Sequence, residues 1–276
     1  MAWFQSQKAV YSSTDGRNWE RVPGEAEVQF SWTPWFAGAG GRSFAASIGS
    51  RPSVQASSDG ASWTEVASSM PEGDRMSFAI CGGGANQLFS VTSTGQTFLS
   101  TDGGAGWTEK ARVRPEGARG SGGGFGGGCT FSPDHTKVLA QGWYFPIDGQ
   151  EDSGPILALS EDLGSTWVTV PPPIERNDAI KVMMAGDAIL YAVNDVENNK
   201  RVGFVYRSTD RGATWEKSVP LIAPGEEAAS YSDRRSYATD GADLVVGIEG
   251  PIGDAEGDAN YHGGIFYSAD GGHSYE

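Results

Sequence analysis

The chain is poor in cysteine, histidine and positive charge, and each of these shortages excludes some classes of function. Its 276 residues include two cysteines, Cys81 and Cys129, which are too few for a disulfide framework, and we predict two buried free thiols in adjacent repeats. The histidines, His135, His262 and His273, are scattered and lack the spacing of a zinc site. With 20 basic against 35 acidic residues, the net charge of −15 argues against a nucleic-acid partner or an anionic membrane surface.

Long hydrophobic runs are absent as well. No apolar segment is long enough to span a membrane, so no membrane insertion is expected. Residues 1–5 show no basic region followed by an apolar stretch, which predicts no secretory signal and synthesis in the cytoplasm. Neither a helical periodicity nor a composition break is evident. Residues 1–276 are therefore predicted to form one all-β domain.

The sequence is rich in glycine, with 40 residues, and it contains one short phrase six times. The phrase is Ser-x-Asp-x-Gly-x-x-Trp, and its fullest copy runs from Ser208 to Trp215. The first two copies are one residue shorter, and the last ends in Tyr. The Asp and the final aromatic residue of the six copies are Asp15 and Trp19, Asp59 and Trp63, Asp102 and Trp107, Asp162 and Trp167, Asp210 and Trp215, and Asp270 and Tyr275.

The repeated phrase has the composition of a tight turn. Each copy follows a short β-prone run, and each of the first five precedes another, which predicts a β-hairpin. The Asp can accept hydrogen bonds from backbone N–H groups of its own turn, and Gly can adopt a positive φ. The Trp is large enough to wedge between neighbouring sheets. We therefore expect these residues to serve folding and not catalysis.

The spacing of the copies indicates the architecture. Their first serines lie 44, 43, 60, 48 and 60 residues apart, and 40–50 residues suit one four-stranded blade. The sequence thus predicts a six-bladed β-propeller with all six turns on one face, seven blades being the alternative. In the fifth blade, for example, Ala179–Ala185 and Ala188–Asn194 are predicted strands. The first blade lacks its innermost strand, so it either has three strands or is completed by another protein.

The repeated phrase resembles the Asp-box, or BNR repeat, and the resemblance covers essentially the whole chain. It implies a β-propeller of the superfamily that includes sialidases, other glycoside hydrolases, sortilin-like receptors, photosystem assembly factors and phage-encoded propellers. Sialidases carry a Phe-Arg-Ile-Pro-like segment before their first Asp-box. Here almost nothing precedes the first copy, and the dipeptide Arg51-Pro52 lies after it. No catalytic residue of that family can therefore be assigned.

Candidate ligand-binding residues fall where the loops and the inter-blade connections are predicted, on the face opposite the repeated turns. Flat aromatic rings suit stacking on sugars, and arginines suit carboxylates. The candidates are Trp32, Trp35, Trp143, Tyr144, Arg234, Arg235 and Tyr237. The alternatives are that the rings belong to the core and that the arginines balance neighbouring carboxylates.

Three predicted loops between second and third strands are long and acidic. The first two contain Asp148, Glu151 and Asp152, and Asp195 and Glu197. The third contains Asp254, Glu256, Asp258 and Asn260, whose alternating oxygen ligands suggest Ca²⁺, although the placement of Gly and Glu is not that of an EF-hand. A solvated acidic loop is the alternative, and no other cofactor is expected.

Two functions are compatible with these residues. The favoured one is a non-catalytic binding or assembly module with a carbohydrate, receptor or other protein partner, and a phage particle is one setting for it. The alternative is a glycoside hydrolase of the exo-sialidase type that uses carboxylates and arginines on the loop face. A photosystem-type assembly factor would need a lipoprotein or lumenal targeting signal, and none is visible.

Overall fold

The computed structural model describes 22 strands and several of the turns between them. The residues described are 2–6, 9–13, 20–21, 35–39, 42–47, 53–58, 62–66, 78–84, 86–92, 95–113, 128–144, 154–174, 179–197, 200–218, 235–239, 244–248, 264–270 and 274. These residues contain strands, turns and bends but no helix, and hence no helix that could cross a membrane.

The described strands form six sheets. Sheet 1 contains β1 (Ala2–Ser6), β2 (Ala9–Ser13) and β3 (Glu20–Arg21). Sheet 2 contains β4 (Trp35–Ala39), β5 (Arg42–Ser47), β6 (Ser53–Ser57) and β7 (Thr64–Val66). Sheet 3 contains β8 (Phe78–Gly82), β9 (Leu88–Thr92), β10 (Thr97–Ser100) and β11 (Thr108–Lys110).

The remaining strands follow the same plan. Sheet 4 contains β12 (Cys129–Phe131), β13 (Val138–Tyr144), β14 (Gly154–Ser160) and β15 (Val168–Thr169). Sheet 5 contains β16 (Ala179–Ala185), β17 (Ala188–Glu197), β18 (Lys200–Ser208) and β19 (Glu216–Lys217). Sheet 6 contains β20 (Arg235–Thr239), β21 (Leu244–Ile248) and β22 (Gly264–Ser268). Strands that are consecutive in sequence are neighbours in every sheet, so each sheet is a meander.

The central strands of the sheets are buried and apolar, whereas the fourth strands are largely exposed. In sheet 3, every residue of β9 and β10 is buried, and these strands are rich in Leu, Phe, Val and Thr. The fourth strands β7, β11, β15 and β19 have two or three residues each and are largely exposed. The central strands therefore pack on both faces, while the fourth strand is the solvent-facing rim.

One predicted loop is wrong. Asp195 and Glu197 were expected in a long acidic loop, but both belong to β17, which pairs with β18 out to Glu197 opposite Lys200. The β-branched Val193, Val196 and Val202 favour a strand, and the register sets an acidic residue opposite a basic one. The second acidic loop is consequently a long hairpin.

Backbone contacts divide the chain into two compact units. Unit 1 comprises Met1–Ser153 and Ala158–Val168, and unit 2 comprises Gly154–Leu157 and Thr169–Glu276. Within unit 1, the first strand of sheet 3, β8, packs beside the first strands β4 and β12 of its neighbours. Within unit 2, the first strands β16 and β20 pack together. One domain over residues 1–276 stays a prediction.

Large apolar side chains fill the interior of each unit. In unit 1, Phe44 and Val54 of sheet 2 pack with Ile80 and Leu88 of sheet 3, and Trp107 covers this cluster. In unit 2, side chains from β16, β17 and β18 are fully buried, namely Met184, Ile189, Leu190, Tyr191 and Phe204. Each unit thus has its own set of buried apolar side chains.

The prediction of two free thiols is wrong. Cys81 near the end of β8 and Cys129 at the start of β12 form a disulfide, with their Cα atoms 5.5 Å apart. The two residues lie 48 positions apart in sequence, so no local sequence pattern predicts that they pair. They meet because β8 and β12 are the packed first strands of neighbouring sheets.

Candidate functional site

The turns of the repeated phrase, here called the repeat turns, are built around one Asp carboxylate each. In sheet 5, Asp210 Oδ1 accepts the backbone N–H of Thr214 at 2.8 Å and the hydroxyl of Ser208 at 2.8 Å, and Oδ2 accepts the hydroxyl of Thr214. The hydroxyl oxygen of Ser208 in turn accepts the N–H of Gly212 at 2.7 Å. The Asp and Ser side chains thus bridge the two ends of the turn.

The same network recurs in three further repeat turns. Asp162 accepts the N–H and the hydroxyl of Thr166, at 2.8 and 2.7 Å. Asp270 accepts the N–H of Ser274 at 3.0 Å and its hydroxyl at 2.6 Å. Asp102 accepts the N–H of Gly106 at 2.9 Å, and that residue has no hydroxyl to add. Asp15, Trp19, Asp59 and Tyr275 lie outside the described residues, and Trp63 is half-buried.

Hydrogen bonds hold these carboxyl groups in the ionised form. The hydroxyl of Thr214, followed by its backbone N–H, lowers the pKa of Asp210 to about 2. The backbone N–H groups of Thr166 and Gly106 are the main cause of the lowered pKa values of Asp162 and Asp102. A group ionised at every physiological pH cannot serve as the general acid of a hydrolase, which needs a raised pKa.

The tryptophan of a repeat turn ties its sheet to the preceding one in two described copies. The Nε1–H of Trp167 donates to the carbonyl of Ala111 at 2.9 Å, just beyond the last strand of sheet 3, and its ring lies 5.9 Å from that of Phe89. The Nε1–H of Trp215 donates to the carbonyl of Pro171 at 3.0 Å, just beyond β15 of sheet 4. Trp107 instead donates to Gly104 within its own turn, while it packs on Phe44 and its neighbours.

Strand direction locates several candidate ligand-binding residues. A repeat turn follows the third strand of its sheet and lies at one end of that sheet. In a meander, the first strand starts at the opposite end, and the second strand ends there. We call this opposite end the loop end. Trp35 starts β4, and Trp143 and Tyr144 end β13, which places these backbone positions at the loop ends of sheets 2 and 4. Arg235 starts β20 at the loop end of sheet 6, opposite Ile248, the last residue of β21.

The other candidates are placed less favourably or not at all. Tyr237 lies in the middle of β20, opposite Val246. Trp32 and Arg234 lie outside the described residues, as do the proposed calcium ligands Asp254, Glu256, Asp258 and Asn260. In the part of the chain that is described, no cluster of three or more acidic, histidine or cysteine side chains could hold a metal ion. The calcium site stays a prediction.

An open cleft of about 610 Å³ lies in unit 1 at the other end of sheets 3 and 4, where the sequence indicated no site. Its walls are the β8–β9 turn, the β12–β13 turn and the repeat turn of sheet 4, and we call it the turn cleft. These turns contribute Gly84 and Gln87, then Asp134, His135 and Thr136, and finally Glu161, Asp162 and Leu163.

The β12–β13 turn imitates a repeat turn. Asp134 accepts the hydroxyl of Ser132 at 2.6 Å, and the N–H and hydroxyl of Thr136 at 3.2 and 2.9 Å. The Ser132 hydroxyl is the main cause of a pKa for Asp134 lowered to about 2. The signal in the sequence was the Ser-x-Asp-x-Thr spacing of residues 132–136, which lacks the Gly and Trp of the full phrase.

Three acidic side chains, Asp134, Glu161 and Asp162, give the turn cleft a negative charge. Asp134 and Asp162 are ionised hydrogen-bond acceptors, and Glu161 lies 3.9 Å from Lys137 Nζ. Neither of the two aspartates can donate a proton near neutral pH, so this pair is unsuited to two-carboxylate glycoside hydrolysis.

Comparisons with known proteins define the class of fold. A structure of YCF48 from Cyanidioschyzon merolae matches with a TM-score of 0.50 and 16% identity, over 97% of this chain and 77% of that chain. YCF48 bound to D1 peptide matches with a TM-score of 0.48 and 16% identity, over 97% and 74% of the two chains.

A second kind of protein shares the fold. The GH74 xyloglucanase from Xanthomonas campestris matches with a TM-score of 0.52 and 13% identity, over 98% of this chain but only 42% of that one. The matched structures are β-propeller proteins, and the chain has a β-propeller fold with antiparallel four-stranded sheets. No family model and no curated protein matches the sequence.

Proposed function

We propose that the chain is a non-catalytic, six-bladed Asp-box propeller that binds a partner at the loop ends of its blades. One sheet per blade, with one repeated phrase after each third strand, supports six blades; a seventh would need a further sheet among the residues not described. All six repeat turns then lie on one face, because each meander places its turn at the same end.

The observation that carries the binding function is the position of the aromatic residues. β4 begins with Trp35 and β13 ends with Trp143 and Tyr144, so three large rings are attached to backbone at loop ends. A blade needs no aromatic residue there to fold, since β9 ends in Thr92 and β5 in Ser47. Rings at the rim of a propeller face suit stacking on sugars or contact with a protein surface.

Carbohydrate is the leading ligand class, and a receptor or other protein is the second. The net charge of −15 disfavours nucleic acid as the ligand. A phage particle is a setting in which such a module would attach to a cell surface. The alternative of an exo-sialidase-like hydrolase is not favoured, because every carboxyl group of the described residues with a shifted pKa is shifted downward.

A glycan array combined with a fluorogenic sialoside assay tests this function. The protein should bind a group of related glycans and should not turn over the sialoside. Trp143→Ala should weaken binding at least roughly tenfold with little change in melting temperature, because a ring on the surface contributes contact and not core.

The controls separate binding from folding. Val168→Ala alters an exposed side chain on β15 and should change neither binding nor melting temperature. If Trp143→Ala unfolds the protein, the ring belongs to the core and the proposal loses its support. Sialoside turnover that is lost on Arg235→Ala would establish the hydrolase instead.

A further inference from the structure

The disulfide joins the two strands that lead into the β8–β9 turn and the β12–β13 turn of the turn cleft. Cys81 is followed by Gly82, the last residue of β8, and then by the turn that contributes Gly84 to the cleft. Cys129 starts β12, which leads within three residues to the turn of Asp134 and His135. The bond thus joins the two strands that hold two of the three walls of the cleft.

The β8–β9 turn and the β12–β13 turn are in close van der Waals contact. An added Cβ at Gly84 would lie 2.6 Å from Cδ2 of His135, and one at Gly83 would lie 3.0 Å from the ring of Phe131. The ring of Phe131 in turn contacts that of Phe89, with centroids 6.4 Å apart. The cleft therefore depends on a fixed separation of β8 and β12, and a covalent bond between those strands fixes it.

Both cysteine residues are buried. Cys81 is 7% exposed and Cys129 8% exposed, and the disulfide accounts for all the cysteine of the chain. A buried disulfide that closes a long loop is typical of a structural bond, because exchange needs access of a thiolate to sulfur. Such bonds persist in oxidising surroundings and are rare in the reducing cytoplasm.

We propose that the Cys81–Cys129 disulfide forms in the working protein and holds the two walls of the turn cleft together. Because such a bond persists only in oxidising surroundings, the chain acts in an oxidising environment. In the forming step, the two thiols lose two protons and two electrons, and one S–S bond forms. The oxidant is a small-molecule or protein disulfide, which is reduced to two thiols. The bond does not depend on what the propeller binds.

Thiol trapping tests the first half of this proposal. The full chain is equilibrated with a mixture of reduced and oxidised glutathione at an extracellular ratio. It is then denatured in excess N-ethylmaleimide, and the number of labels is determined by intact mass spectrometry. No label is expected without prior reduction, and two labels are expected after dithiothreitol. Two labels without prior reduction would overturn the proposal.

Hydrogen exchange tests the second half. The oxidised protein is compared with the Cys81→Ser/Cys129→Ser double variant and with the wild-type chain reduced by a phosphine, which changes no residue. The N–H groups of Gly83, Gln87, His135 and Lys137, all hydrogen-bonded within the two turns, should exchange roughly tenfold faster without the bond. The Ala185–Ala188 turn of sheet 5 is the control and should not change.

Melting temperature gives an independent readout. Both the double variant and the reduced protein should melt roughly 5–10 °C lower than the oxidised protein. Equal exchange in the two turns, with or without the bond, would show that the disulfide does not hold the cleft, and the proposal would fail. If the double variant does not fold, the reduced wild-type chain decides between these outcomes.

Discussion

At the scale of single residues, the repeat turns show how much chemistry a short phrase encodes. Asp and Gly in a turn predict hydrogen bonds from the backbone to the carboxylate and positive φ, and in the sheet 5 turn Gly212 has φ of 84°. Arg211 also has a positive φ, of 60°, which its residue type would not predict. The pairing of Cys81 with Cys129 was not predictable either, since it depends on which strands are packed together.

Removing the carboxylate of Asp210 should lower stability in a pH-dependent way. The pKa is lowered from 3.8 to about 2 in the folded protein, so the stabilisation is fully present above about pH 4 and is lost as the pH falls through about 2. The difference in melting temperature between wild type and Asp210→Ala should therefore be largest above pH 5 and shrink toward pH 2.

The control for this series is Glu109→Ala, which removes an exposed carboxylate from β11. Its melting temperature should stay close to that of the wild type at every pH, because no turn depends on it. A difference for Asp210→Ala that is the same at pH 7 and pH 2 would mean that the ionised carboxylate does not stabilise the turn.

The repeat turn of sheet 3 can be improved. Gly106 stands where sheets 4 and 5 have Thr166 and Thr214, whose hydroxyls donate to the second oxygen of the Asp. An added Cβ at Gly106 would lie 3.0 Å from Asp102 Oδ2, so the exposed carboxylate has to shift by a few tenths of an ångström before it accepts the hydroxyl. Gly106→Thr should therefore raise the free energy of unfolding by roughly 0.5–1 kcal/mol.

Chemical denaturation checks this gain, with Gly106→Val as the matched control. Valine restricts the unfolded chain to a similar extent but cannot donate a hydrogen bond. Threonine should be more stable than valine at the same position. Equal stability of the two variants would show that the hydroxyl finds no acceptor at Asp102.

At the scale of the element, strand identity could be predicted, and strand ends could be predicted in some strands but not in others. The prediction of Ala179–Ala185 is confirmed as β16, with both ends as predicted. The second strand of that sheet was predicted to end at Asn194 and extends to Glu197, because the carboxylates suggested a loop. A paired partner strand outweighs the low strand propensity of single acidic residues.

Trp167 tests how a repeat turn holds its sheet to the preceding one. Trp167→Ala removes both the ring beside Phe89 and the hydrogen bond to Ala111, and should cost roughly 3 kcal/mol of unfolding free energy. Trp167→Phe keeps a smaller ring beside Phe89 and loses the N–H donor, and should cost about 1 kcal/mol.

Urea denaturation measures both variants against Val168→Ala, which alters the adjacent side chain that is 55% exposed. That control should stay within about 0.5 kcal/mol of the wild type. Equal losses for Trp167→Phe and Trp167→Ala would assign the whole effect to the hydrogen bond. Negligible losses for both would exclude the tryptophan as the link between sheets 3 and 4.

At the scale of the whole molecule, the spacing of the repeated phrase predicted the β-propeller fold, because three of its five steps, of 43 to 48 residues, match one four-stranded sheet. The turn cleft was not predictable, because it needs turns from two sheets to converge. The ligand was not predictable either, since propellers present different surfaces on the same sheets. A binding end is inferred instead from where Trp35 and Trp143 lie along their strands.

The measurement that tests the central claim most directly is a crystal structure of the full chain with the glycan or peptide that binds it best. The account predicts six sheets around one axis, with every repeat turn on one face and the ligand on the other, against Trp35 or Trp143. A ligand in the turn cleft, or sheets arranged as two separate bodies, would contradict it.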